Sequence, residues 1–412
     1  MDNVQDVLLA VTGMTPQVVT ETLFGIDQRK EPWPYRVIII TTRRGAQRVR
    51  QGLVDEGHLD ALCRSLDKPI FAAEDVEIRS IPDAQGQQVD DARTLDDHEA
   101  LADFIMQSVR ELTADDDVRL HASLAGGRKT MTFYLGYAMS LFGRAQDRLS
   151  HVLVSEAFEN NPYFYFPTRV PTMIPARDGG ELDASTAEVC LADIPFIRQR
   201  PQLPEVLKRI GDGVHFRQLV ALFNLGTRPR DIRLCLHEAD ARITLHDATQ
   251  ANDEALSAIS FSNRFDFSWL WLVADATCRK DASLKRHDDD RNAREAMGWR
   301  LMERLSQSLE LPLNRQGDYS QQVERWVNEH EQALEAANIR PDHFFLTMKD
   351  GADIKTASSR IKERLSLYLP QALVEILSVV QRLDTDGRLH PRTRHHAGFA
   401  LYLEPTQIGF YP

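Results

Sequence analysis

The sequence predicts an α/β fold, a doubly wound and mostly parallel sheet, for about its first 170 residues, and a mainly helical region after it. Two observations lead to this prediction. Short apolar runs alternate with longer segments whose apolar residues recur at helical spacing. The short runs are apolar at nearly every position, which is typical of strands in a parallel sheet covered by helices on both faces.

Five strands are predicted in order along this region. They are 6–13 (DVLLAVTG), 35–42 (YRVIIITT), the end of 68–81 (KPIFAAEDVEIRSI), 117–123 (DVRLHAS) and 147–155 (DRLSHVLVS). The helices predicted between them are 16–26, 43–54, 96–113 and 129–143. At the first helix, Thr15 is the predicted N-cap and Pro16 the first helical residue, where a missing N–H does no harm.

Composition limits the class of protein. The chain has 412 residues, enough for two or three domains, of which 42% are apolar and 27% charged. The net charge of −12 argues against a surface that binds nucleic acid indiscriminately, although it leaves room for a local basic pocket. The N-terminal residues are acidic before their apolar run, unlike a signal peptide. No run of about 18 apolar residues occurs, so no membrane span is expected.

The four cysteines (Cys63, Cys190, Cys235 and Cys278) are far apart and show no CxxC spacing. This spacing disfavours a zinc site or a disulfide framework. It fits a reducing, cytoplasmic environment. We therefore expect a cytoplasmic protein that needs neither a metal ion nor another cofactor.

Three turns follow predicted strands at the carboxyl edge of the sheet, where ligands of doubly wound folds bind. We name them the first turn (11–17, VTGMTPQ), the second turn (123–129, SLAGGRK) and the third turn (41–45, TTRRG). Helix N-termini at such turns present free N–H groups and the positive end of a dipole. The glycines allow close approach of the backbone, and the arginines and Lys129 add positive charge. Together these features suit a ligand that bears phosphate.

An alternative is that GGRK merely starts a helix, with its charges solvated. The motif is neither GxGxxG nor a Walker A loop, and both of those can be dismissed. The coincidence of three such turns at one edge favours a functional site.

The pair VTGMTPQVVTETL and SLAGGRKTM resembles the CRISPR-associated Rossmann fold (CARF), and within it the NE-type branch of CRISPR ring nucleases. The resemblance covers roughly residues 4–170. It implies a homodimer that binds cyclic oligoadenylate, the second messenger of type III CRISPR defence. The two-fold symmetry of a dimer suits a ring of four units, so we expect cyclic tetra-adenylate. It also implies metal-independent cleavage of that ring.

Ring cleavage of this kind uses a nucleophile that the substrate carries. The ribose 2′-hydroxyl attacks the adjacent phosphorus and leaves a 2′,3′-cyclic phosphate, so the protein need only align the ribose and stabilise charge. Lys129 and Arg128 are the candidates for charge stabilisation. Thr12 and Thr15 are candidates to bind a phosphate or orient the 2′-hydroxyl. The family usually has serine in the first turn, where this chain has threonines and Met14.

The remaining residues expected to contact the ligand belong to the same three turns. They are Gly13, Met14, Pro16, Gln17, Thr42, Arg43, Ser123, Ala125, Gly126, Gly127 and Thr130. Ser123 is either a second hydroxyl contact or an N-cap. Residues 158–180 form a turn-rich connection or a hairpin that covers the ligand edge. In it, Tyr163 and Tyr165 either stack on adenine or pack the loop against its own domain.

A domain boundary is predicted near residue 200, which divides the chain into a CARF-like domain (1–200) and a second domain (201–412). A predicted hairpin at 232–247, helices, a basic helix at 354–369 and a basic turn near 390–396 loosely resemble a winged helix. Such a domain either binds DNA or serves dimerisation and packing. DNA would contact Arg360, Lys362, Arg364, Arg392 and Arg394. This resemblance implies an alternative function, a ligand-controlled DNA-binding regulator without catalysis.

A second alternative is a HEPN ribonuclease, a domain that many CARF proteins carry. Its hallmark is an arginine and a histidine separated by four to six residues. Arg325 and His330 have this spacing, and so do Arg209 and His215. The spacing arises easily by chance in a chain with 13 histidines. The HPRTRHH run at 390–396 is interpreted as a basic loop rather than a metal site, because no carboxylate or cysteine lies at ligand spacing.

Overall fold

The structure is a computed structural model that describes residues 4–83, 85–90, 93–208, 215–251, 253–285, 290–349 and 354–412. Its internal contacts divide the chain into two compact units. The first unit comprises Met1–Leu203 and Lys208–Phe216, and the second comprises Pro204–Leu207 and Arg217–Pro412.

The first unit is built on a six-stranded sheet. The strands of this unit, inside and outside that sheet, are β1 (Gln5–Val11), β2 (Arg36–Thr41), β3 (Val76–Ser80), β4 (Val118–Ser123), β5 (Arg148–Val154), β6 (Met173–Pro175), β7 (Glu181–Asp183) and β8 (Val189–Asp193). The sheet order is β3-β2-β1-β4-β5-β8, while β6 and β7 form a separate hairpin. β1 to β5 run parallel and β8 pairs antiparallel with β5. The predicted doubly wound, mostly parallel sheet is confirmed.

The helices of this unit lie between the parallel strands. They are α1 (Gln17–Gln28), α2 (Arg43–Val49), α3 (His58–Ser65), α4 (Leu95–Ala114) and α5 (Lys129–Phe142), and a short α6 (Glu205–Lys208) follows near the boundary between the units. They bury the central strands: Leu8, Leu9 and Ile39 have no solvent exposure. Apolar runs without alternation are therefore explained by burial on both faces.

The predicted start of α1 and the predicted helix at 43–54 both need correction. α1 begins at Gln17, and Pro16 (φ −66°, ψ −17°) is its N-cap residue, with no side-chain cap. The predicted N-cap at Thr15 and the predicted helix start at Pro16 are therefore both wrong. The predicted helix at 43–54 is α2 followed by a π-helical turn, Arg50–Asp55. The turn carries Gly52, whose missing side chain leaves room for the Tyr165 hydroxyl.

The second unit is mainly helical. Its helices are α7 (Phe216–Leu225), α8 (Arg264–Arg279), α9 (Arg291–Ser308), α10 (Tyr319–Glu329), α11 (Glu331–Ala336), α12 (Pro341–Lys349), α13 (Ile354–Tyr368) and α14 (Gln371–Leu377). Its strands are β9 (Ile232–His237), β10 (Arg242–Asp247), β11 (Ser257–Ser260), β12 (Val380–Leu383), β13 (Gly398–Ala400) and β14 (Ile408–Tyr411). They form a four-stranded sheet, β11-β10-β9-β14, and a pair, β12-β13.

Its core surrounds α8, where Phe267 and Trp269 are fully buried. The predicted hairpin at 232–247 is β9-β10, and the predicted basic helix is α13. The helical spacing of apolar residues over 320–338 (SQQVERWVNEHEQALEAAN) predicts one helix, which is wrong. The chain leaves helical geometry at His330 (φ −125°, ψ 21°) and forms α10 and α11. Among the described residues, none of the helices combines the length and apolar composition needed to cross a membrane.

Candidate functional site

The central strands of the first unit define a topological switch point. From β1 the chain continues outward to β2 and β3, whereas from the adjacent β4 it continues outward in the opposite direction to β5. In open α/β sheets, ligands bind in the crevice at the carboxyl ends of two such strands. The first turn follows β1 and the second turn follows β4, so the two turns flank this crevice.

The first and second turns touch through glycine backbone. A β carbon on Gly13 would lie 3.6 Å from the Cα of Gly127. Gly127 has a φ of +83°, in the left-handed region that favours glycine. Gly126 lies against the end of β1, as its contacts with the Val11 carbonyl show. The close approach that the sequence predicted for these glycines is therefore made first to the protein's own backbone.

The third turn joins the same cluster. A β carbon on Gly45 would lie 2.7 Å from the carbonyl oxygen of Gly13. Thr42 is the N-cap of α2, because its side-chain oxygen accepts a hydrogen bond from the Gly45 N–H at 3.3 Å. Thr42 is buried, so the structure gives its side chain a capping position.

The positive side chains of the three turns are placed differently. Arg128 and Lys129 are exposed at the start of α5, whose first turn holds no acidic residue. Arg43 binds Asp90 through both sides of its guanidinium, with Nη2 2.7 Å from Oδ2, and Arg44 lies 3.9 Å from the same carboxylate. Asp90 therefore offsets part of the positive charge of the third turn.

The candidate hydroxyl groups also differ in placement. Thr12 has no solvent exposure, and its Oγ1 donates to the Thr15 carbonyl at 3.0 Å, which closes the first turn. Ser123 is buried as well and lies 3.1 Å from the Thr22 hydroxyl of α1. It does not cap α5, which begins six residues later at Lys129. Thr15 is half-buried, so it is the hydroxyl of the first turn nearest to solvent.

Unpaired polar atoms occur at the carboxyl ends of β1, β2 and β4. Three buried side-chain oxygens there have no hydrogen-bond partner among the described residues: Oε1 of Gln17, Oγ1 of Thr41 and Oγ1 of Thr130. Buried polar atoms are almost always paired in folded proteins.

The segment after β5 folds over the first turn. Gln17 Nε2 donates to the Pro162 carbonyl at 2.9 Å. The Tyr165 ring stacks on His58, with centroids 3.6 Å apart and planes inclined by 12°. Burial lowers the pKa of His58. Tyr163 is 58% exposed, so one tyrosine of the pair packs against its own unit and the other remains available.

Glu21 is a candidate that sequence reasoning missed. It lies on α1 one turn after Gln17 and is buried. Burial, and then the charge of Glu159, raise the pKa of this carboxyl to about 7. Nothing in the local sequence signals this shift, because it depends on the segment after β5 being packed on α1. His58 and Gly52 were missed for the same reason.

Of the ribonuclease candidates, Arg325 and His330 each contact another neighbour. Arg325 donates to Glu329 one helical turn away at 2.8 Å, while the His330 ring packs edge-on against Trp326. Arg209 lies outside the described residues, and His215 lies 2.6 Å from the Asp103 carboxylate. This alternative stays a prediction that no described contact favours.

The basic residues proposed for DNA fall into two groups. Arg360 binds Asp266 at 2.8 Å, and Arg364 donates to the Ser260 carbonyl at 3.0 Å, both inside the second unit. Lys362, Arg392 and Arg394 are exposed. In the HPRTRHH segment, His390 pairs with Asp384 at 3.1 Å, and the described part of the chain holds no cluster of three or more potential metal ligands. Winged-helix function stays a prediction.

Comparison with known proteins adds one family. The family model described as CRISPR-associated protein NE0113 matches residues 15–223, just over half of the chain. The match includes residues 15–17 of the first turn and all of the other two turns. A solved structure of Enterococcus italicus Csm6 bound to cyclic hexa-2′-fluoro-hexa-dAMP aligns with 88% of this chain and 99% of its own, at 10% identity and a TM-score of 0.30. No protein of curated function matches the chain.

Proposed function

Since the chain belongs to the CRISPR-associated protein NE0113 family, we propose that it binds cyclic oligoadenylate, with cyclic tetra-adenylate as the preferred ring, and cleaves it without a metal ion. The observation that carries this proposal is the contact between the first and second turns at Gly13 and Gly127, beside the exposed Arg128 and Lys129. Where the two turns meet, the crevice at the switch point is lined by backbone amides and lies beside positively charged side chains. A protein that destroys this messenger acts as an accessory of type III CRISPR defence.

Binding rests on the starts of two helices. α1 and α5 both begin at the crevice, and their N-termini direct N–H groups and positive dipole ends toward it. A phosphodiester of the ring takes this place, and Arg128 supplies a charge-assisted hydrogen bond. The exposed, chemically uniform phosphates of the ring suit a site made largely of backbone.

Cleavage requires little from the side chains. The ribose 2′-oxygen forms a bond to phosphorus while the bond from phosphorus to the 5′-oxygen breaks. The 2′-hydroxyl loses its proton to solvent, the 5′-oxygen gains one, and a 2′,3′-cyclic phosphate remains. Lys129 stabilises the charge that grows on the phosphoryl oxygens, and Thr15 orients the ribose. Thr12 is assigned a positioning role, because its hydroxyl is used to close the first turn.

A homodimer is proposed on grounds of symmetry. A two-fold axis lets each subunit bind one half of a ring of four identical units in the same way. Phe133 is 60% exposed on α5, one turn after Lys129, while the next residue along this face, Tyr137, is 36% exposed and packs edge-on against Phe216. We assign this face to the partner subunit. Light scattering should show a dimer for the wild type and a monomer for Phe133→Glu, and a monomeric wild type would contradict the assignment.

The central experiment is incubation of the protein with cyclic tetra-adenylate and cyclic hexa-adenylate in the presence of EDTA. We expect linear products that end in 2′,3′-cyclic phosphate, with the four-membered ring cut faster. Binding without cleavage after long incubation would remove the nuclease part of the proposal. Absence of any binding would remove both parts.

A further inference from the structure

The second unit contains an open cavity of about 540 Å³. Four separate segments surround it: the 3₁₀ turn before β9 (Pro229–Asp231), the end of α8, the turn between β12 and β13, and the segment between β13 and β14. Cavities of about 300–1,000 Å³ are typical of sites for small ligands. Because the four segments are far apart in sequence, the cavity is a product of the tertiary fold and not of one loop.

Three positively charged residues line this cavity. They are Arg230 before β9, Lys280 at the end of α8 and Arg388 in the turn between β12 and β13. All three are exposed, and none forms an ion pair within the part of the chain that the structure describes. Of the described lining residues, Glu404 alone is acidic. A concave surface with an excess of positive charge attracts anions, even on a chain whose net charge is −12.

Two of these cations are brought to the same turn. Lys280 is the C-cap residue of α8, and its side chain lies against Gly387, where an added β carbon would be 3.3 Å from the lysine Cδ. Arg388 directly follows this glycine, and its N–H donates to Oδ1 of Asp384 at 2.8 Å, which fixes the turn. Like charges held close together destabilise each other. The arrangement therefore favours an anion as their common partner.

A fourth cation lies behind one wall of the cavity. Arg382 is 2% exposed, and its guanidinium carbon lies 5.7 Å from the ring centroid of Tyr402, which lines the cavity. Its Nη2 donates to the carbonyls of Glu375 and Ser378, whereas Nε and Nη1 have no hydrogen-bond partner among the described residues. Burial lowers the pKa of Arg382 to about 10, so the group is charged at neutral pH. Buried charges are poorly screened, so Arg382 adds to the positive potential of the cavity without touching a ligand.

We propose that this cavity binds a small ligand that carries two or more linked phosphate groups, with Arg230 and Arg388 as donors of charge-assisted hydrogen bonds and Lys280 as a third positive charge. A guanidinium group matches the paired oxygens of a phosphate, and a chain of phosphates offers one to each cation. Nucleoside triphosphates and inorganic polyphosphate share this chemistry. The inference concerns the second unit alone and does not rest on the proposed binding of cyclic oligoadenylate.

The test measures the binding of inorganic triphosphate and of ATP to the full-length protein by calorimetry, in a buffer without phosphate. Both should bind, and inorganic monophosphate should bind at least about tenfold more weakly, because it reaches fewer of the cations. Tighter binding of ATP than of triphosphate supports a nucleotide site, with the nucleoside on the wall formed by Leu389 and Tyr402. Equal binding supports a site for the phosphate chain itself.

Charge-reversal variants locate the site. Arg230→Glu and Arg388→Glu should each weaken the binding of triphosphate at least about tenfold. Glu404→Gln removes the opposing carboxylate and should strengthen binding about two- to fivefold. Arg325→Glu is the matched control, since Arg325 is exposed on α10 and does not line the cavity, and its affinity should equal that of the wild type. Lys280 is not used, because a lysine at this position also offsets the negative end of the α8 dipole.

Two results would overturn the inference. One is a wild type that binds neither triphosphate nor ATP, a comparison that needs no variant to fold. The other is triphosphate binding that stays at wild-type strength in both Arg230→Glu and Arg388→Glu, because the ligand then binds elsewhere on the chain. Neither result bears on the proposed function, which is measured with cyclic tetra-adenylate.

Discussion

Gly126 lies directly against the end of β1. A β carbon on this glycine would come within 2.7 Å of the Val11 carbonyl oxygen and 2.8 Å of Cγ2 of Val18. Both neighbours are held in place, one by the central sheet and one by α1, so neither can move aside cheaply. The second turn thus packs against both the first turn and the end of β1. The glycines of the GGRK motif are therefore part of the packing that shapes the crevice.

Gly126→Ala should therefore destabilise the first unit and prevent ring binding. Overpacking a rigid contact of this kind costs about 1–3 kcal/mol. Urea denaturation gives the free energy of unfolding, and calorimetry gives the affinity for cyclic tetra-adenylate. A variant as stable as the wild type would show that the two turns are further apart than described.

Gly136→Ala is the matched control on the same part of the chain. Gly136 lies inside α5, and a β carbon there meets nothing within 4 Å. Alanine in a helix interior is favoured over glycine by about 0.5–1 kcal/mol. This variant should therefore be more stable than the wild type by that amount. The same substitution, glycine to alanine, should thus lower the free energy of unfolding at Gly126 and raise it at Gly136.

Glu21 should make the stability of the protein depend on pH. Burial raises the pKa of its carboxyl from 4.5 to about 7 in the folded state. Between these values the folded state holds a proton that the unfolded chain has released, so the free energy of unfolding falls as the pH rises from 4.5 to 7 and is constant above. Glu21→Gln removes this decline. At pH 8 the variant should be more stable than the wild type by about 3 kcal/mol, and at pH 4 the two should agree.

Thermal denaturation between pH 4 and pH 8 measures this dependence. Glu156→Gln, at an exposed position in the segment after β5, should keep the slope of the wild type. If Glu21→Gln keeps that slope as well, the buried carboxyl is ionised throughout and the assignment of its pKa is wrong.

The buried pair of Arg144 and Asp147 should be essential for folding of the first unit. Nε and Nη2 of the arginine lie 3.0 Å from the two carboxylate oxygens, and the Leu120 N–H donates to the same carboxylate. Asp147→Asn leaves the buried guanidinium with only the solvent-exposed carboxylate of Asp116, 3.7 Å from Nη1, as an opposite charge. Breaking a buried ion pair in this way costs about 3–5 kcal/mol. Asp60→Asn, in the exposed pair with Arg64, should cost less than about 0.5 kcal/mol. Urea denaturation of both variants tests the contrast.

The fold of the first unit was predictable because its signals are local. Each central strand is a continuous apolar run. The first and second turns contain glycines, which mark turns in a sequence. β8 was missed because it pairs antiparallel with β5 at the sheet edge, and only part of it is buried. The π-helical turn was missed because the space around Gly52 is set by Tyr165, more than 100 residues later.

The candidate site was predictable at the level of its turns and less so at the level of its side chains. Arg128 and Lys129 are exposed where the motif places them. The partner of Arg43 is Asp90, which no spacing rule connects to it. The direction of the Thr12 and Ser123 hydroxyls depends on the tertiary contacts of each turn, so sequence alone could not distinguish a ligand contact from an internal hydrogen bond.

Lys129→Ala should reduce ring cleavage more than ring binding. The ammonium group acts on charge that develops in the transition state, whereas backbone amides and Arg128 hold the ring beforehand. Loss of one such group lowers the single-turnover rate by about 100-fold, with affinity nearly unchanged. Arg128→Ala should weaken binding and cleavage together. Lys355→Ala, at an exposed position of α13, should do neither. If Lys129→Ala cuts the ring at the wild-type rate, Lys129 has no part in the chemistry, whether or not the protein binds the ring.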